Sequence, residues 1–419
     1  MKQQTWFTLH HWAGFHLSLL LSFILLTGTF ATVSTDIDWL TNSAVRAEQM
    51  ISPQATLDWP ALLVSAQSRY PNLQISSIER PKRPWHNVEV VVLDTNNQRF
   101  RLYLDGITHE IKGQAGWFNW QQFFRQIHRT FMLPIKVGVT LVGVFALLLL
   151  FLLVTALYAY RHWWKYFFSF ERIKRVPNSV WKEKPRKLAA HKRRFWSELH
   201  KLVGLWSIWF IVVISVTGLW YLIEQWGGAA NYPKVENQLT STVQQAQDMR
   251  KNSVSISSLS FALQQVTDKY PQFIINKVRF IGAKDLIEIE GQERAWLVRD
   301  RANQQVFDAH SGRFLTGRQA ESLNWHFRIS EAADPLHFGS FYSWIISYVW
   351  FVFGLALTSL SLTGVYLYLL RLKQSGALRI EGALHSVKRI WIESHWLKWP
   401  SIILLGICSS LVLQQILCA

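Results

Sequence analysis

Cysteine is nearly absent from this chain. Only Cys408 and Cys418 occur, both in the last apolar run, where ten residues of helix would hold them about 15 Å apart, too far to pair. No disulfide is expected, and no Cys-x-x-Cys-His run offers covalent attachment of a cofactor. Acidic residues are also scarce, 27 against 44 Lys and Arg. Neither paired carboxylates nor a catalytic triad stands out. No Gly-x-Gly-x-x-Gly follows a strand, and no soluble stretch is long enough for a nucleotide-binding fold.

What the chain has instead is apolar and aromatic: half of its 419 residues are hydrophobic, with 22 Trp and 26 Phe. Five runs reach membrane length, near residues 12–33, 137–160, 202–223, 342–370 and 400–417. Net charge is +17, which raises the question of nucleic acid. Its location argues against that partner and for membrane lipids. Residues 161–201 carry about a dozen Lys and Arg against three acids, and such a short connector should face the cytoplasm. The N-terminus is then expected inside, with residues 35–134 and 224–340 outside. Thr29-Phe30-Ala31 would pass as a signal-peptide cleavage site. Retention of the first helix is expected, because the histidines ahead of it have a use only if it stays.

The stretch Leu199–Gly218, LHKLVGLWSIWFIVVISVTG, aligns without a gap on Leu9–Gly28, LHHWAGFHLSLLLSFILLTG. His10 falls on His200, Gly14 on Gly204, Thr27 on Thr217 and Gly28 on Gly218. On a straight helix at 100° per residue, His200 and Gly204 lie within about 40° of each other, and Gly218 returns to the azimuth of His200. After each of these helices comes a small α+β segment. The first has a helix ending at Tyr70-Pro71 and then strands VEVVV and RFRLYL. The second has a helix ending at Tyr270-Pro271 and then strands LIEIEG, RAWLVRD and QVFDAHSGRFLTG. One further histidine follows each segment, His128 and His337, and each precedes a threonine late in the next span, Thr155 and Thr363.

The chain is therefore expected to be a duplicated membrane α+β protein: a four-helix core in two copies, two small outer domains and a fifth helix. Its boundaries are helix 1 over 1–34, domain 1 over 35–127, helix 2 over 128–162, a basic connector over 163–198 and helix 3 over 199–224. Domain 2 follows over 225–336, helix 4 over 337–371, a cytoplasmic loop over 372–398 and helix 5 over 399–419.

Alternating helix direction puts His10 and His200 at the cytoplasmic edge and His128 and His337 at the outer edge. Two imidazoles from different helices can hold a haem iron from both sides, and Gly14, Gly204, Gly28 and Gly218 would leave room for the flat ring. Two haems b are expected. His11, His16, His162 and His326 are the alternative ligands. Zinc fits less well, since the pairs lie at opposite faces with no cysteine or carboxylate at ligand spacing. His86, His109, His191, His310, His385 and His395 are expected to be solvated. Glu224 ends the third span as an interface cap or a proton relay. In ERPKRPWHN, the residues Arg80, Lys82, Arg83 and Trp85 would grip an anionic ligand or touch headgroups.

RFWSELHKLVGLWSI with SVTGLW, LHHWAG with LLTG, and DPLHFG with SLTG resemble the PepSY-associated transmembrane family of bacterial inner-membrane proteins. The outer segments ending RLYLDGITHEIKG and QVFDAHSGRFLTG look like periplasmic PepSY domains. The resemblance covers about residues 6–372. It implies an iron-regulated, haem-containing oxidoreductase that releases iron from a ferric siderophore by reducing it. Some members are fused to a flavin reductase module. This sequence has none, so a separate donor is expected, either quinol or a cytoplasmic flavin reductase. The second span also ends Thr155-Ala156 where the family pattern has Thr-Gly. Two rival readings remain open: a PepSY-domain binding or regulatory protein with a peptidase or envelope partner, and a siderophore permease.

Overall fold

The computed structural model describes residues 2–71, 73–168, 185–230, 255–282, 285–374, 392 and 398–417. Two compact units account for them. One comprises Met1–Thr32, Phe124–Gly227 and Ser347–Cys418, and the other Val33–Phe123 and Gly228–Ile346.

The first unit is helical. Its first elements are α1 (Gln3–His16) and α2 (Ser18–Thr32). Next come α5 (Trp120–Thr130), which begins in the second unit, and α6 (Ile135–Ala159). The second copy supplies α7 (Pro185–Trp206) and α8 (Ile208–Ile223). Two more helices complete the set, α11 (Ile345–Gln374) and α12 (Lys398–Leu417). Among the described residues, three helices are long and apolar enough to cross a membrane: Ile135–Ala159, Ile208–Gly228 and Ile345–Arg371. The bent pair α1–α2 makes a fourth if it counts as one span.

That bend corrects the straight-helix expectation. α1 and α2 meet at 70°, with Leu17 at φ −102° and ψ 3° between them. The second copy breaks at the residue aligned with Leu17, Ser207, at φ −90° and ψ −1°. The flanking bonds repeat as well: Leu17 N–H to Ala13 O and Leu21 N–H to Leu17 O in one copy, Ser207 N–H to Val203 O and Ile211 N–H to Ser207 O in the other. His200 and Gly204 still share a face of α7. Gly218 lies beyond the break, so the azimuth that returned it to His200 does not apply.

Four helical columns close into a ring in chain order. α1 meets α6 where Gly14 faces Leu152, and α7 meets α11 where Gly204 faces Leu360. These are the contacts within each copy. Between copies, α6 meets α8 through Gly143 against Leu222 and Gly218 against Ala146. α2 meets α11 through Ser22 Oγ and Ser361 Oγ at 2.8 Å, and Phe15 of α1 stacks on Tyr368 of α11 at 4.2 Å. First and third columns are therefore diagonal, as are second and fourth.

The second unit holds α3 (Ser34–Thr41), α4 (Trp59–Arg69), α9 (Ile256–Lys269) and α10 (Trp325–Phe338) with eight strands. The strands are β1 (Gln74–Glu79), β2 (Val88–Leu93), β3 (Arg99–Leu104), β4 (Ile111–Gly116), β5 (Ile274–Ile281), β6 (Leu286–Gln292), β7 (Asn303–Asp308) and β8 (Phe314–Arg318). All eight form one antiparallel sheet in the order β4-β3-β2-β1-β5-β6-β7-β8. The two expected domains are thus fused through their first strands. Ile78 pairs with Val278, Ser77 with Arg279 and Glu79 with Lys277. Since Ile78 and Val278 are equivalent positions of the repeat, a quasi-twofold axis passes through that pair. Both side chains are fully buried in a core shared by the two copies, each contributing about 1.5–3 kcal/mol. Covering a sheet edge also removes unpaired backbone groups.

RAWLVRD forms no strand. Arg299 gives its guanidinium to Glu331 and Asp334 of α10 at 2.8 and 2.9 Å, and the Trp296 carbonyl accepts from Arg328. Arg299 is committed to α10 instead of to a ladder, and β7 begins only at Asn303.

The start of α5 is capped from α3. Asp38 accepts from the Trp120 and Gln121 amides at 2.9 and 3.2 Å and from the Asn119 side chain at 2.8 Å. Burial outweighs these donors and pushes the Asp38 carboxyl up to about 6. Its contribution to stability is full below about pH 4 and is lost as pH rises through about 6. Between pH 7.5 and pH 4.5, wild-type protein in detergent should therefore gain about 2 kcal/mol relative to Asp38→Asn. Parallel melting temperatures for the two across that range would contradict the assignment.

Candidate functional site

Three of the four leading histidines lie in the helical unit, and each has its Nδ1 engaged. His10 Nδ1 is 3.0 Å from the Leu152 carbonyl and 3.1 Å from Thr155 Oγ1, both on α6. His128 Nδ1 is 3.0 Å from the Ile24 carbonyl of α2. His200 Nδ1 is 2.9 Å from Thr363 Oγ1 of α11. A carbonyl can only accept, so at His10 and His128 the hydrogen is on Nδ1. In the neutral His10 ring Nε2 then carries the lone pair, the form in which histidine binds a metal, with the other nitrogen held by an outer partner.

His10 and His200 stand on diagonal columns. His128 belongs to the helical unit, whereas His337 lies at the end of α10 in the sheet-bearing unit, just before Gly339, which closes that helix at φ 64°.

The glycines have separate roles. A Cβ at Gly28 would lie 2.6 Å from Cε1 and 2.9 Å from Nδ1 of His128, so only glycine lets that ring reach Ile24. A Cβ at Gly14 or Gly204 would lie 3.7 or 3.9 Å from Leu152 or Leu360, ordinary contacts. Gly218 meets Ala146, where a Cβ would sit 2.9 Å away. Gly364 lies against His200, and a Cβ there would be 3.7 Å from Cε1, also ordinary. Ala156, the residue matching Gly364, is therefore a tolerable departure from the Thr-Gly pattern.

The alternative histidines are placed differently. His11 packs edge-on against Phe7 and 6.4 Å from Tyr368, and His16 sits beside Trp12 at the end of α1. His162 has a left-handed backbone, φ 61°, next to Trp164. His326 bonds the Gly228 carbonyl through Nε2 at 3.0 Å, so its hydrogen is on the opposite nitrogen from those of His10 and His128. Glu224 accepts from Trp220 Nε1 at 2.9 Å.

Of the outer cationic candidates, Arg80 spends its guanidinium on the Ile275 and Ala55 carbonyls, and Arg83 pairs with Asp36 at 3.2 Å. Lys82 is exposed, and Trp85 packs edge-on against Trp344 at 4.9 Å.

Two histidines expected in solvent are not there. His86 is only 5% exposed, its Nε2 has no partner among the described residues, and burial beside Arg83 and Lys82 lowers its pKa to about 4. His310 pairs with Asp285 at 3.4 Å. His109 is partly exposed in a turn with φ 62°. The side chains of His191, His385 and His395 lie outside the described residues. Among the described residues, no cluster of three His, Cys, Asp or Glu could hold a bare metal ion.

Fold and site together define a polytopic helical membrane protein with a fused antiparallel sheet unit and imidazoles set within its bundle. The chain belongs to the PepSY-associated transmembrane family: the family described as PepSY-associated TM region matches residues 7–371. Comparison with curated proteins finds no match.

Gly28→Ala should displace His128 and lower stability in detergent by about 1–3 kcal/mol, whereas Gly14→Ala and Gly204→Ala should stay within about 0.5 kcal/mol of wild type. Thermal unfolding of the three variants checks this ordering. Equal effects at all three positions would contradict it.

Proposed function

We propose that the chain is a bacterial inner-membrane di-haem b electron-transfer protein that reduces ferric siderophores. The observation that carries this reading is the state of His10, which presents Nε2 as a lone pair because a carbonyl takes its Nδ1 hydrogen. His10 and His200 would hold one haem at the cytoplasmic edge, and His128 would be a ligand of the other at the periplasmic edge. A bound haem b supplies one-electron reduction. The chain's own residues orient the imidazoles, and the apolar helices exclude water around them. Reduction loosens siderophore iron because Fe(II) has less charge than Fe(III) and is held less well by hard oxygen ligands.

In this reading the N-terminus and the basic connector 163–198 face the cytoplasm. The PepSY-like sheet unit is periplasmic, and α12 is a fifth crossing. The electron donor is a separate one, quinol or a cytoplasmic flavin reductase.

The test is anaerobic. Haem-replete protein, reduced with dithionite and freed of excess reductant, should be reoxidised by a ferric hydroxamate or ferric catecholate siderophore, read at the haem α-band. His10→Ala and His200→Ala should each remove the same portion of the haem, and His128→Ala the remainder. Reoxidation by ferricyanide but by no ferric siderophore would overturn the assigned acceptor. Full haem in all three variants would overturn the ligand set.

A further inference from the structure

Two hydroxyls in the histidine-bearing columns are not part of that ligand set: Thr155 on α6 and Thr363 on α11. They occupy equivalent places. Each has a leucine three residues earlier, Leu152 or Leu360, that faces the glycine four residues after the histidine, Gly14 or Gly204. Each stands against its own copy's Nδ1, Thr155 at 3.1 Å from His10 and Thr363 at 2.9 Å from His200. Thr155 is fully buried.

A hydroxyl has one hydrogen to give. At both threonines it is already given to the helix that carries them. Thr155 Oγ1 donates to the Phe151 and Leu152 carbonyls at 2.9 and 3.0 Å, and Thr363 Oγ1 to those of Ser359 and Leu360 at 2.7 and 3.2 Å. What each oxygen turns toward the imidazole is therefore a lone pair. The contact is a hydrogen bond only when Nδ1 carries the hydrogen, and the neutral ring then has Nε2 bare.

We infer that Thr155 and Thr363 are positioning residues that fix the tautomer and ring rotation of His10 and His200, so that each presents an Nε2 lone pair to a metal. The inference rests on the haem reading for its purpose, though not for its geometry. The two threonines are unequal. His10 has a second acceptor in the Leu152 carbonyl at 3.0 Å, while Thr363 is the acceptor the structure gives His200. Loss of the hydroxyl should matter more at His200.

Valine keeps the shape of threonine and removes the lone pair, and serine keeps the lone pair. Full-length, detergent-purified Thr155→Val, Thr363→Val, Thr155→Ser and Thr363→Ser are compared with wild type. The readouts are haem b retention, haem midpoint potential and the 15N resonances of labelled histidine in protein freed of haem. Thr363→Val should weaken haem retention by about 10–100-fold. It should also raise the midpoint potential, because an imidazole that no longer donates from Nδ1 is a weaker electron donor to iron. Its His200 Nε2 resonance should shift toward the protonated position. Thr155→Val should cost less than about 10-fold, and both serine variants should stay near wild type. Wild-type retention, potential and 15N pattern in Thr363→Val would overturn the inference. If wild-type protein binds no haem, the haem reading fails. The 15N comparison of wild type and Thr363→Val then still decides whether the threonine sets the tautomer.

Discussion

An imidazole packed among membrane helices needs a partner for its N–H, because a buried donor left unpaired costs about as much as the hydrogen bond it forgoes. Much of the helical unit is arranged around meeting that need. His10 turns to the Leu152 carbonyl, His128 to that of Ile24 and His200 to Thr363. Each bond crosses from one helix to another, so each fixes the distance between two helices. Gly28 exists as glycine because the His128 ring occupies the space of its missing side chain. The same bonds that satisfy the rings leave the far nitrogen ready to coordinate. Structural and chemical requirements therefore fall on the same atoms.

Duplication explains why these features recur in pairs. The helix break at Leu17 returns at Ser207 with nearly the same dihedral angles, and the leucine, glycine and threonine contacts return with it. In the sheet unit the repeat is joined edge to edge at Ile78 and Val278, and the ion pair between Glu79 and Lys277, at 2.6 Å, lies beside that junction. Two copies that each expose a strand edge bury both by pairing, which makes one eight-stranded sheet more economical than two separate four-stranded ones. The quasi-twofold is not perfect. The aromatic group of Trp209, Phe210, Trp350 and Phe353 joins the third and fourth columns only, since Leu19 and Leu20 stand at the first-copy positions of Trp209 and Phe210.

Much of this was legible in the chain itself. The gapless match of Leu9–Gly28 with Leu199–Gly218, the Tyr-Pro stops after α4 and α9, and the VEVVV and RFRLYL strands follow from local pattern, and the structure contains them. The breaks at Leu17 and Ser207 carry no proline or glycine, so nothing local announces them. Fusion of the two sheets depends on pairing residues two hundred positions apart, which no periodicity reports. RAWLVRD alternates like a strand, but its arginine is claimed by Glu331 and Asp334 on a later helix. His86 reads as a loop residue in a run of prolines and cations, and only tertiary packing buries it. The site was half visible in the same sense: histidines and threonines could be named from their spacing, whereas the proton arrangement between them needed the carbonyls that only folding brings near.

The central claim is that histidine imidazoles hold two haems in each chain. Its most direct measurement is the haem-to-protein ratio of the intact chain, purified in detergent after haem-replete expression, by pyridine haemochrome against amino-acid analysis. The account predicts two haems b per chain with low-spin, bis-imidazole electron paramagnetic resonance. A colourless protein, or a ratio that stays well below one when haem is in excess, would contradict it.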